Sequence, residues 1–540
     1  MRKTILMMSA AVALTFSTQA QTMDDGIKMV KYERYQSAKK ILEPLAATNP
    51  VANYYLGISE LNLGNVDNAK TIFTKYPEDI PNMSGLARIA YTQNNAALGL
   101  QIDQAIVAKA KKKDWEPFKY AADAITYTDG GNYQQAIDWY KTAIQRMDNL
   151  ETQLSLGDAY QRIDGGGGQA MTTYDKIIDK DPKNSLVFSR RGALWYAAHN
   201  YASALENYEN AKNADPQNPL PYRDLANAYY YTGKYELAKT NIEKYLEMSD
   251  KSPQDEEKYL YILYLAKYNQ EAIGKANELL NQHVVKPGFY GILAFSYYEL
   301  KQAQPSLDNA RLYVAKQDAK KITSDDYIKV GFIFLMNKIS DSADVYFYKG
   351  VDADTSKDKT DIYRRIAEGF RQINNDTAYK KAATWYNKIT TTSPKPLALD
   401  YFWWGAMNYY SKQYDEAAKA FEQMETKFPD QPSATYWRGR VGAAIDNEAK
   451  EGTSVPFYTK WLASVDPNNV EKKKNDLMQA YQYLTLYYYN KDDKDNQKIY
   501  MDKIEAIDPN NAFLQQIKDA MKAAAAPKAP AKSTKPAPKK

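Results

Sequence analysis

The sequence predicts an all-α solenoid built from stacked antiparallel helix pairs. Three observations carry this prediction: small and aromatic side chains recur with a 34-residue period, as in 185–218 and 219–252; a short polar turn divides each period; and Asp-Pro steps close several of them. Self-similarity at such a period belongs to architectures in which one supersecondary unit cannot bury its apolar face alone and does so against its neighbours.

Taken along the chain, the first unit keeps Tyr35, Ala38, Leu42, Leu45 and Pro50. Residues 82–115 depart from the pattern, and 116–149 restore it with Ala124, Tyr127, Ala136, Tyr140 and Ala143. Four glycines at 165–168 insert a turn in the next unit. The most regular unit, 185–218, has Gly192, Trp195, Ala204, Tyr208, Ala211 and Pro216, and 219–252 answers with Ala226, Tyr229, Ala238, Ile242 and Tyr245. Residues 254–286 depart again, and both departures read as irregular helical pairs. Units 324–357 (Gly331, Phe334, Ala343, Phe347, Gly350) and 398–431 (Gly405, Ala417, Phe421, Met424, Pro429) return to the frame, and a last copy carries Tyr488, Met501, Ile504 and Pro509. Segments at 374–379 and 451–456 lengthen two units. The expectation is about eleven or twelve helical pairs between residues 21 and 522.

Each feature of the unit has a physical reason. Gly192 and Ala204 fall one on each helix, where small side chains let two backbones approach to roughly 8–10 Å while Trp195 and Tyr208 fill the space beside them. His199-Asn200-Tyr201, Thr232-Gly233-Lys234 and Lys412-Gln413-Tyr414 read as the turns within pairs. Second helices end at Asp181-Pro182, Asp215-Pro216, Asp466-Pro467 and Asp508-Pro509, because proline disfavours helix in the residue before it. Asn184, Asn218, Asn469 and Asn511 follow these prolines by two residues, where a side-chain oxygen caps the next helix.

With that spacing on the page, the chain resembles the tetratricopeptide repeat family over most of residues 24–520. The resemblance implies a right-handed superhelix whose first helices line a concave groove that takes a partner's extended peptide or helix. On one first helix Arg223, Asn227, Tyr230 and Tyr231 form a single stripe, and Phe402, Ala406, Tyr409 and Tyr410 form its equivalent. Tyr196, Tyr230, Tyr298, Tyr409 and Tyr489 recur four residues after the small residue of the first helix, offering large rigid contact area and a hydroxyl. These residues are the candidate partner-binding set; filling gaps between adjacent units is the competing role for the tyrosines. A carboxylate clamp of the kind some family members use would find only Arg223 and Asn227 here, since the neighbouring stripes hold Ser189, Ala193, Gly291, Phe295, Ile328 and Phe332.

Composition removes most chemistry. There is no cysteine, hence no thiolate metal site, disulfide or cysteine nucleophile, and the two histidines, His199 and His283, are too far apart for a local metal pair. The glycines at 165–168 lack the Gly-Lys-Ser/Thr that a phosphate loop needs. No pair of carboxylates is singled out. We therefore expect no enzyme, no cofactor and no metal, but a noncatalytic scaffold or adaptor for partner proteins. The alternative is a glycan-binding protein of the cell envelope, since nutrient-capture proteins of the SusD type are also helical and tetratricopeptide-containing; those usually carry a lipidated cysteine, which is missing here.

The ends point to export. Arg2 and Lys3, an apolar run from Ile5 to Phe16 and small residues up to Ala20 form a secretory leader, with cleavage expected after Ala20 and too short a run to stay as a membrane span. Residues 523–540, rich in Ala, Pro and Lys, are expected to form a solvated tail able to contact an anionic surface. Of the net +5 charge, the two ends supply seven basic residues and no acid, so the body carries 64 basic against 66 acidic residues and offers no field for nucleic acid. An exported protein of the periplasm or outer-membrane surface is the resulting expectation.

Overall fold

The computed structural model describes residues 22–466, 468 and 470–525. The leader at 1–20, the tail at 526–540, Pro467 and Asn469 lie outside the described residues. Among the described residues there are 29 α-helices and no strand, stacked as antiparallel pairs into an α-solenoid. They fall into two compact units, one ending at Val285 and the other beginning at Lys286. The first holds sixteen helices in eight pairs; the second holds thirteen, six pairs and the closing helix Ala512–Ala525.

This gives fourteen pairs against the eleven or twelve expected. The segments read as departures are ordinary pairs, Ile80–Thr92 with Ala96–Ala108 and Pro253–Leu265 with Asn269–Asn281. Their turns are built as elsewhere, with Asn94 (φ 59°) and Lys267 (φ 67°) in the left-handed conformation. The closing helix also runs through Ala523–Ala525, where the tail was expected to start, because alanine favours helix most strongly.

The same left-handed residue recurs in the turns between helices. His199 (φ 58°), Gly233 (φ 72°), Lys412 (φ 61°) and His283 (φ 62°) all adopt it, so both histidines of the chain serve as turn residues. The Asp-Pro steps end helices as expected, at Lys180, Ala214 and Ile507. Asn184 then accepts from the Val187 amide (3.2 Å), Asn218 from Leu220 (3.0 Å) and Asn511 from Leu514 (3.3 Å).

Inside a pair, the small residue of the first helix faces an aromatic ring of the second. A β-carbon added at Gly192 would lie 2.5 Å from Tyr208, one at Gly331 2.4 Å from Phe347, one at Gly405 2.6 Å from Phe421 and one at Gly439 2.5 Å from Tyr458. Between pairs, Tyr208 and Ala204 pack on Leu225 and Ala228, and Phe421 stacks on Trp437 with centroids 5.4 Å apart. Small-against-large contact within pairs and ring contact between them is the core of both units.

The first unit bends back on itself. Its opening pair, Met23–Lys31 and Tyr35–Leu42, meets residues about two hundred positions later. Glu33 pairs with Arg223 at 2.5 Å, the Tyr32 hydroxyl donates to Asp215, and Ser37 donates to Asp250 from its amide (3.0 Å) and hydroxyl (2.5 Å). These polar contacts latch the first pair to the Tyr201–Ala214, Leu220–Tyr231 and Tyr235–Met248 region and bring the Met23–Lys31 helix beside the Ser185–Ala197 helix.

Candidate functional site

The first unit curves around a partly open cavity of about 430 Å³, walled from Val30 and Lys31 round to Leu186 and Arg190. Its walls come from the first helices of six consecutive pairs, Met23–Lys31, Pro50–Asn62, Ile80–Thr92, Glu116–Thr126, Leu150–Tyr160 and Ser185–Ala197. First helices thus form the inner face of this unit.

The wall is polar and aromatic. The rings of Tyr54, Tyr55 and Tyr120 meet edge to face, at 5.1 Å for Tyr54 with Tyr55 and 5.7 Å for Tyr54 with Tyr120. Burial pushes all three hydroxyls well above the ordinary phenol value, so they stay protonated and can donate. Tyr35 at the rim is pushed up to about 12 for the same reason. Tyr127 keeps 43% of its surface accessible, yet its hydroxyl is also pushed up by desolvation, then by Asp158 and Asp123. The two facts agree because its hydroxyl is held against Ser155 and Asp158 while its ring lines the cavity.

Charged groups sit among these rings, and most are paired. Lys119 contacts Asp123 at 2.7 Å and lies 3.9 Å from Glu151; burial opposes its charge, but these carboxylates outweigh it and hold the ammonium protonated. Arg190 pairs with Asp158 at 3.0 Å, which raises its pKa further. The carboxylates are also saturated by tyrosines: Tyr140 donates to Asp123 (2.7 Å), and Tyr174 and Tyr127 donate to Asp158 (2.7 and 3.0 Å). Arg88 differs. Only 9% exposed, it lies 5.1 Å from the Tyr127 ring, its Nε has no hydrogen-bond partner, and no carboxylate among the described residues is within ion-pair distance.

The sequence-based candidates lie elsewhere and do not converge on one site. Tyr196, Tyr230 and Tyr231 form a ring cluster, with centroids 6.0 Å apart for Tyr196 with Tyr231 and 5.3 Å for Tyr230 with Tyr231. Tyr231 is 60% exposed, and the Lys258 ammonium sits 4.3 Å from the Tyr230 ring. Arg223 is committed to the latch through Glu33 and to Asp224 at 3.3 Å, and Asn227 is half-buried on the same helix. In the second unit Phe402, Tyr409 and Tyr410 surround Trp437 at 5.6, 5.4 and 6.1 Å, so they join adjacent pairs. Tyr298 borders a separate cavity of about 500 Å³ with Phe332 and Arg365, and Tyr489 is partly exposed on Lys474–Asn490.

The five recurrent tyrosines share a backbone role. The carbonyls of Tyr196, Tyr230, Tyr298, Tyr409 and Tyr489 each accept from the left-handed turn residue three positions on, at 2.9–3.2 Å. Tyr91 and Tyr264 hold the same position before Asn94 and Lys267. Their recurrence therefore marks the last turn of the first helix. The chamber residues were not among the candidates, although one signal was available: Arg88, Asp123, Asp158 and Arg190 follow at intervals of 32–35 residues, one charged side chain per first helix.

Among the described residues no helix is long and apolar enough to cross a membrane. Residues 51–82 and 409–451 match family models for the tetratricopeptide repeat. No curated protein sequence matches the chain. Similar solved structures include the C-terminal part of a TPR repeat-containing protein from Cytophaga hutchinsonii, 26% identical over 48% of this chain and 97% of that one with a TM-score of 0.36. Another is a tetratricopeptide repeat protein from Parabacteroides merdae, 18% identical over 45% and 94% with a TM-score of 0.30. With one matched segment in each unit, the chain carries tetratricopeptide repeats in both units of its α-solenoid.

Proposed function

We propose that this chain is a noncatalytic scaffold or adaptor, exported to a bacterial cell envelope, that binds an extended segment of a partner protein on its first-helix surface. The observation that supports the binding face most directly is the ring cluster of Tyr196, Tyr230 and Tyr231, which joins two successive first helices and leaves Tyr231 60% exposed. Such rings give rigid contact area with a hydroxyl at the edge, the combination enriched at protein interfaces. The leader pattern before Gln21 supports export, and the lysines of 526–540 support contact with an anionic envelope surface.

In-cell crosslinking, affinity capture and quantitative mass spectrometry test this reading by comparing wild type with a Tyr230→Ala, Tyr231→Ala variant. A small set of proteins lost in the variant is expected. Enrichment of glycan and wall fragments alone would overturn the protein reading in favour of a glycan-binding envelope protein. Fractionation of the same cells tests location: envelope recovery that falls in low salt when 526–540 is removed is expected, and recovery in the cytoplasm refutes export.

A further inference from the structure

The chamber of the first unit shares no lining residue with the Tyr196, Tyr230 and Tyr231 cluster. Its volume of about 430 Å³ lies within the roughly 300–1,000 Å³ typical of small-molecule sites. The Glu33–Arg223 and Ser37–Asp250 contacts tie the opening pair to later helices of the unit, and the cavity remains partly open to solvent.

Its charge balance is specific. Lys119 and Arg190 are answered by Asp123 and Asp158, and the tyrosines satisfy the same carboxylates. Glu33 is taken by Arg223, and Lys31 is exposed to solvent. Asp103, fully buried behind Arg88 on the Ala96–Ala108 helix, accepts from the Tyr91 hydroxyl at 2.8 Å. Burial pushes its pKa up to about 8, so at neutral pH it is mainly protonated; Asp123, beyond ion-pair distance, still favours the charged form of Arg88. Glu151, 3.9 Å from Lys119, also lines the chamber, so the formal charges of its wall balance, and what sets Arg88 apart is that no carboxylate among the described residues lies within ion-pair distance of its guanidinium while its Nε has no hydrogen-bond partner. A guanidinium is planar, always charged and binds carboxylates bidentately, and a buried cation without a partner is costly.

We infer that the chamber binds a small monocarboxylate with an aromatic or apolar body, Arg88 receiving the carboxylate while Tyr54, Tyr55 and Tyr120 pack against the body and donate from their hydroxyls. The unpaired Arg88 guanidinium suits one planar carboxylate, and a phosphate dianion would place a second negative charge near Asp123, Asp158 and Glu151. The rings provide apolar faces for the remainder of the ligand. This site does not depend on the protein-partner reading and could fail while that reading stands.

The test is calorimetry on the full-length protein with phenylacetate, its neutral isostere phenylacetamide, inorganic phosphate and an N-acetylated pentapeptide ending in phenylalanine. Saturable phenylacetate binding at one site per chain is expected, with phenylacetamide and phosphate each weaker by about tenfold or more. Arg88→Gln should abolish that preference for phenylacetate over phenylacetamide, and Arg88→Lys should keep part of it. The ligand comparison in the wild-type protein stands even if a variant fails to fold. Equal binding of phenylacetate and phenylacetamide, no binding of either at millimolar concentration, or preferred binding of phosphate overturns the inference. Tighter binding of the pentapeptide overturns it too, by making the ligand a chain end.

Discussion

Replacing Gly192 by alanine separates two opposed effects within one helix. In a solvent-facing helix interior this change is worth about 1 kcal/mol of stability, because alanine is the better helix former. At Gly192, however, the new β-carbon would lie 2.5 and 2.6 Å from two ring carbons of Tyr208, against the roughly 3.5–4.0 Å of an ordinary carbon contact. The ring must withdraw by about 1 Å or the helices must part, and overpacking of that size costs about 1–3 kcal/mol. The net expectation is a loss of about 1 kcal/mol. Gly274→Ala supplies the opposite sign: this glycine is inside the Asn269–Asn281 helix with nothing within 4 Å of its added carbon, so a gain of about 0.5–1 kcal/mol is expected. Urea unfolding followed by far-ultraviolet dichroism gives both shifts as midpoint changes at constant slope. Adding Tyr208→Leu to Gly192→Ala should recover stability that the two single changes do not predict, a coupling of about 1 kcal/mol or more. If Gly192→Ala stabilises as Gly274→Ala does, or if the cycle is additive, the proposed small-against-ring packing of the repeat is wrong.

Asp103→Asn should stabilise the protein in a pH-dependent way. The carboxyl titrates near 3.8 when unfolded and at about 8 when folded, so its protonated form favours folding at low pH and this advantage is progressively lost as pH rises from about 4 to 8. At 1.36 kcal/mol per unit the penalty reaches up to about 5 kcal/mol by pH 8 to 9; a difference in melting temperature between variant and wild type that stays constant with pH would refute this. Asp250→Ala should release Ser37 and Arg34 from the latch and raise amide exchange across 23–42, by an opening free-energy change of roughly 1–2 kcal/mol, while leaving 324–357 unchanged. Unaltered exchange in 23–42 would show that the ring is held closed by other contacts.

The pair architecture was legible because its determinants are local. Gly192 and Tyr208 are sixteen residues apart in one unit, and each Asp-Pro-x-Asn step carries its own stop and cap. Turns at Asn94 and Lys267 use the same left-handed backbone as those at His199 and Lys412, so the two off-consensus segments keep the pair geometry although their core residues depart from the repeat. The recurrent tyrosines were visible for a related reason: their position is fixed by a local hydrogen bond to the turn, which makes them periodic whether or not they bind anything.

The chamber was illegible because closure is not local. Glu33 finds Arg223 across 190 residues, and no pattern within one repeat encodes that meeting. What the repeat does encode is position: a residue on the inner side of a first helix faces the ring interior wherever the ring closes, so a charge there is costly unless something answers it. Asp123 and Asp158 are paired with neighbours in the same helix or the next repeat, while Arg88 has no carboxylate among the described residues within ion-pair distance, and Arg88 stands in one of the two segments that depart from the repeat. Consensus residues serve the stacking of units, which every pair shares. A departure from consensus that leaves the helix pair intact has been relieved of that duty at the changed position, and an unanswered buried cation is then better explained by a ligand than by packing.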